Sequence, residues 1–248
     1  MERILKPEPS RVEQTYHQFE AFVYRKPRRT YFSMSWQCQL LPSLPCLHNA
    51  KQWHDSFVPQ ITSYAVLNDG SEICISVQGL GTYCLNTTSY TWTEAGKWTL
   101  PFYGKVEYVP ELKLWLGFSA TDQTSLAAAD LSAMDSQPQL LGTRWKERLD
   151  LPEEWKECKD PQLVNLGSGK LCIARFFHAM RTPNGDMAGD ELIDQNNLAV
   201  LTGVEVALHA RHDSSANGRS GGVELKFSNH GSGYYESDSS NGTITTVF

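Results

Sequence analysis

Along this chain, runs of β-branched, aromatic and other apolar residues alternate with polar ones and are cut at short intervals by Gly, Asn, Asp or Pro. That period-two pattern predicts half-buried strands joined by tight turns. Residues 63–67 and 72–78 flank Asn68-Asp69-Gly70 and read as a hairpin; 82–86, a turn through 87–89, and 90–98 complete four antiparallel strands. Four strands in a meander make one propeller blade. The pattern returns in 105–109, 112–120, 126–131 and 139–147, and again in 162–166, 170–178, 198–208 and 223–227. Upstream, 19–24 and 30–41 read as the last two strands of a further copy. The expected fold is all-β, an incomplete propeller of four-stranded antiparallel blades, about three blades and a half. Residues 1–17 form a charged leader, 18–208 the blades, and 209–248 a Gly/Ser/Asn-rich segment holding one or two strands.

Tryptophans punctuate the pattern. Trp36, Trp92 and Trp145 fall on the outer strand of successive copies, at intervals of roughly 50 residues, the period of kelch repeats. Tyr83-Cys84-Leu85-Asn86 followed by Trp92 fits that arrangement: an apolar third strand, a polar turn residue, then an indole on the fourth strand. Asn86-Thr87-Thr88 matches the N-glycosylation pattern, but within the repeat Asn86 is the cap of a turn. Short alternating strands also suit a β-sandwich, in which the tryptophans would be ordinary core aromatics.

Composition narrows the function. A net charge of −6 gives no general pull toward nucleic acid or an anionic membrane, so any partner must be recognised locally. No window supplies the roughly 18 apolar residues of a membrane span, and MERILKPEPSRVEQTY lacks the apolar run of a secretory signal. The six cysteines show no C-x-x-C spacing, and most sit in apolar strand-like runs, which predicts buried reduced thiols and an intracellular protein, cytoplasmic or nuclear and not secreted.

The runs FEAFVYRKP, ICISVQGLGTYCL, TWTEAGKWTLPF, GKVEYVPELKLWLGFSA and DPQLVNLGSGKLCIARFF resemble a plant family, expanded in grasses, that carries a domain of unknown function. The resemblance covers roughly residues 18–208 and implies a kelch-like propeller of the kind seen in the central domain of galactose oxidase, with no assigned activity. Members of that family carry a longer N-terminal region, so the resemblance also implies an N-terminally truncated chain.

In a meander, loops emerge on two opposite faces. On one, the connections are tight: 68–70, 110–111 and 167–169. On the other lie 42–60, 148–159 and 179–197, and long loops on a rigid scaffold are where binding collects. The expected partner-binding residues are Trp53, His54, Trp155 and Arg181, together with Tyr103. Alternatively, Trp53 and Trp155 pack down to seal the blade junctions.

Catalytic constellations are weak. His178, His209 and His212 lack a fixed Cys or carboxylate partner, so no metal or other cofactor is expected. Tyr83 and Cys84 point to opposite faces of one strand and cannot form the crosslink of a copper-radical oxidase. Glu153-Glu154 and Asp186, Asp190 and Glu191 read as solvated loop acids, and Arg25-Lys26-Pro27-Arg28-Arg29 as an exposed hairpin tip. The expected function is a non-catalytic protein-interaction module that binds another protein and self-associates through open blade edges. The alternatives are a propeller-based enzyme or carbohydrate-binding lectin, or a nonfunctional gene fragment.

Overall fold

A computed structural model describes residues 19–25, 34–46, 59–180, 195–210 and 223–236. It is all-β. A hairpin of β1 (Glu20–Arg25) and β2 (Ser35–Leu40) precedes three four-stranded antiparallel blades. Blade 1 holds β3 (Ile61–Leu67), β4 (Glu72–Val77), β5 (Gly81–Asn86) and β6 (Thr91–Gly96). Blade 2 holds β7 (Phe102–Val109), β8 (Leu114–Ser119), β9 (Ser125–Ala129) and β10 (Trp145–Lys146). Blade 3 holds β11 (Trp155–Gly167), β12 (Lys170–Met180), β13 (Gln195–Ala210) and β14 (Val223–Glu236). The result is the expected incomplete propeller-like array, with the innermost strands β3 and β7 running parallel and paired over Ser63↔Gly104, Tyr64↔Lys105 and Ala65↔Val106.

Blade 2 shows why its strands read as nearly unbroken apolar runs. A sheet buried on both faces needs apolar residues at odd and even positions alike. Leu116, Phe118, Leu126 and Ala128 face the core shared with blade 3, while Trp115, Ala127 and Ala129 face the core shared with blade 1. Gly117 lies between Leu116 and Phe118, where a Cβ would stand 3.0 Å from the Phe102 ring. The tight turns follow from backbone chemistry. Asn68, Asp69 and Gly70 all take positive φ, as do Gly167, Ser168 and Gly169, and a Cβ on Gly169 would stand 2.5 Å from the Val206 carbonyl oxygen.

Several boundaries differ from the sequence expectation. The outer strand predicted over 139–147 shrinks to Trp145–Lys146 plus a single bridge between Ala129 and Leu140. Residues 132–139 carry no alternation, and Pro138 has no N–H for a ladder. Trp155 opens β11 instead of lying in a loop over 148–159. The strand runs through Pro161 with a register shift between Lys159 and Gln162, and it is admitted there because among the described residues only β12 pairs with β11, so its other edge needs no donor. β14 continues past residue 227 to Glu236, taking in Gly231 at a bulge opposite Gly203/Val204.

The cysteines give the clearest correction. Cys74 and Cys84 are direct cross-strand partners on β4 and β5, and the structure joins them in a disulfide buried between blades 1 and 2. Their side chains share a face because opposed residues of an antiparallel pair do so, a contact that spacing along the chain does not reveal. Cys38, Cys46, Cys158 and Cys172 are free thiols.

Candidate interaction surface

Of the predicted site residues the structure describes two, Tyr103 and Trp155. Trp53, His54 and Arg181 lie outside the described residues. Tyr103, on β7, donates its hydroxyl to Asp160 Oδ1 of β11 at 3.0 Å, tying the inner strands of blades 2 and 3 together. Burial and that bond to Asp160 raise its pKa. Trp155 packs against Phe177 (ring centroids 6.1 Å apart) and meets Tyr234 edge-on at 6.0 Å, with Leu149 and Leu151 beside it. Both side chains therefore serve packing within and between blades.

The repeat residues have distinct roles. Asn86 Oδ1 accepts hydrogen bonds from the Thr88 and Ser89 amides at 2.9 and 2.8 Å, closing the β5–β6 turn. Tyr83 is 2% exposed, and burial first, then its hydrogen bond with Cys46, drive its hydroxyl far above the ordinary range. Trp92 stacks on Phe19 at 5.4 Å and donates Nε1 to the Pro42 carbonyl at 2.8 Å, so the chain flanking the hairpin is pinned to blade 1. Trp145 packs instead into the core between blades 2 and 3. The two indoles leave their sheets in opposite directions along the array, so regular spacing does not make them equivalent.

The ionisable groups also hold structure. Arg175, on β12, donates Nε to Glu147 at 2.6 Å and Nη1 to Glu157 at 2.8 Å, and its guanidinium lies 5.7 Å from the Phe118 ring centroid. Burial works against its charge, but hydrogen bonding and attraction to the two carboxylates outweigh that and raise its pKa. Among the described residues no group of three His, Cys, Asp or Glu could hold a metal. His178 and His209 sit opposite Asn197 and Glu224, so they stand some ~40 Å apart along β13, at about 3.3 Å per residue.

What sequence reasoning passed over is the outer face of the β1–β2 hairpin. On its outer face, cross-strand pairing sets Phe22 opposite Cys38, Tyr24 opposite Trp36 and Glu20 opposite Leu40. Phe22 is 64% exposed, Tyr24 53%, Trp36 69% and Leu40 59%, with Met34 beside them at 48%. The Tyr24 and Trp36 rings stack at 5.3 Å. Such a continuous apolar face on one ribbon is rare at a protein surface unless something docks on it. The signal is in the alternation of EAFVYR and SWQCQL, which places Phe22, Tyr24, Trp36 and Leu40 on one face of the ribbon.

The chain belongs to the family described as "Protein of unknown function (DUF1668)", which matches residues 1–235. No curated protein and no solved structure shows a significant match to it. Among the described residues no helix is long and apolar enough to cross a membrane.

Proposed function

We propose that this chain is a non-catalytic protein-interaction module, a kelch-like propeller scaffold whose protein partner docks on the outer face of β1–β2. The observation that carries this reading is the row Phe22, Tyr24, Trp36 and Leu40, each more than half exposed on one face of a paired ribbon. Covering such aromatic side chains is where interface energy concentrates, since each brings a large apolar area at little cost in rotamer freedom. The shifted ionisable groups support a scaffold: Arg175 latches two blades, and Asp122 and Asp130 accept backbone and hydroxyl hydrogen bonds from Ser125 and Ser132 in their own turns. The same reading puts the protein in the cytoplasm or nucleus on the strength of four free thiols, and the Cys74–Cys84 disulfide argues the other way.

Photo-crosslinking in cells tests the interface. A benzophenone side chain placed at Trp36 should yield adducts of defined mass, and one placed at exposed Lys113, on the β7–β8 turn, should not. Adducts of twice the chain mass would make the partner a second copy. No adducts at position 36, or the same set at both positions, would refute the proposal.

A further inference from the structure

A concave site lies at the end of the array where the turns are tight. β3 and β7 pair over only three residues and then diverge. The Trp115 indole fills the gap, donating Nε1 to the Val66 carbonyl at 3.2 Å, and Tyr108 stacks on it at 4.5 Å. Above this aromatic floor opens a cleft of about 420 Å³, walled by Tyr64, Val66 and the Asn68–Gly70 turn on one side and by Lys105 and Glu107 on the other. Tyr64 is 42% exposed and Val66 49%.

The charges decide what fits. Lys105 Nζ lies 2.7 Å from Glu107 Oε1, so these two neutralise each other. Asp69 forms no ion pair among the described residues and stands at the cleft wall with φ 53°. The remaining charge is therefore negative, and the faces of Tyr64 and Tyr108 add the negative potential of aromatic rings. A flat cation is the group such a cleft favours, because it stacks on a ring and pairs with a carboxylate at once.

We infer that the cleft receives an arginine side chain from a partner protein's peptide segment. This rests on the interaction-module reading, and it names a second contact distant from the hairpin. The test is amide and indole NMR on the labelled full chain, titrated with Ac-Gly-Arg-Gly-NH2. Shifts should concentrate at Tyr64, Asp69, Lys105 and the Trp115 indole N–H and saturate at millimolar peptide. Ac-Gly-Gln-Gly-NH2 should bind at least about fivefold more weakly, as should the arginine peptide to Asp69→Asn or Tyr64→Ala. Asn tolerates the positive φ at position 69, so Asp69→Asn removes charge without disturbing the turn. Equal binding of the glutamine peptide, saturation of the same resonances by methyl glucoside, or an absence of shifts in the cleft would each overturn the assignment. Adducts at position 36 that persist in Asp69→Asn would show that the hairpin interface stands whichever way the cleft result falls.

Discussion

The seam between blades 2 and 3 and the outer face of the β1–β2 hairpin are built from the same kinds of residue and end in opposite states. In the seam, Leu116, Phe118 and Leu126 meet Leu163, Leu171 and Ile173, and all six are buried. On the hairpin, Phe22, Tyr24, Trp36 and Leu40 stay exposed, with Tyr24 and Trp36 stacked on each other. Apolar alternation on a strand therefore specifies a face that must be covered, and not what covers it. The seam adds directional contacts between sheets: Arg175 to Glu147 and Glu157, and the Asn165 side-chain amide to the Tyr108 carbonyl at 2.8 Å. These set which blade sits where.

Removing that directional part should give the largest effect. Arg175→Met leaves Glu147, only 3% exposed, as an uncompensated buried charge, and urea melts should show a loss of about 3–5 kcal/mol. Pairing it with Glu147→Leu should recover most of the loss, because an apolar pair of similar volume replaces a buried ion pair at little cost. No recovery would mean that the seam depends on charge for more than orientation.

Breaking the Cys74–Cys84 bond comes next. It closes a short loop inside blade 1, and its removal by Cys74→Ala should cost about 2–3 kcal/mol. Thiol counting on the unfolded, unreduced chain should find four reactive cysteines; six would return both residues to the free thiols that the sequence suggested.

Trp92→Ala should cost about 2–3 kcal/mol, less than a full core aromatic because the indole is half-buried, and it should free the hairpin first. Hydrogen exchange should quicken in β1 and β2 before blade 3 is affected. Trp36→Ser is the contrasting change: its effect on stability should stay within about 0.5 kcal/mol, because the side chain is already in water, while crosslinking from a neighbouring position such as Phe22 should fall sharply. A large loss of stability would place Trp36 in the core and remove the interface.

The smallest effect expected is in acid. Hydrogen bonds from Ser125 hold the Asp122 carboxyl below its ordinary pKa, so its contribution is present above about pH 3.8 and is lost as pH falls through the depressed value. Asp122→Asn should lower the neutral-pH midpoint slightly, because the contribution of the ionised carboxylate is gone at every pH, and should remove that last part of the acid dependence.

Much of the fold was legible because it rests on local rules. The period of two, the turn residues Asn68-Asp69-Gly70 and Gly167-Ser168-Gly169, and the Asn86 cap all act within a few residues of chain, and each strand of the array has a counterpart in the alternation. Strand ends were less legible where an edge changes the requirement: Pro161 is admitted because one side of β11 needs no donor, and 139–144 fail to pair beyond one bridge because they lack alternation. The sequence by itself determined which segments are strands, where they turn and which faces are apolar, since those follow from side-chain period and backbone chemistry. Only the tertiary structure decided that Cys74 meets Cys84, that Trp92 and Trp145 point in opposite directions along the array, that Arg175 finds Glu147, and that β3 and β7 part to open a cleft. Each of those depends on the register between strands or the seating of one sheet on another, and residues far apart in the chain carry no mark of being neighbours until packing brings them together.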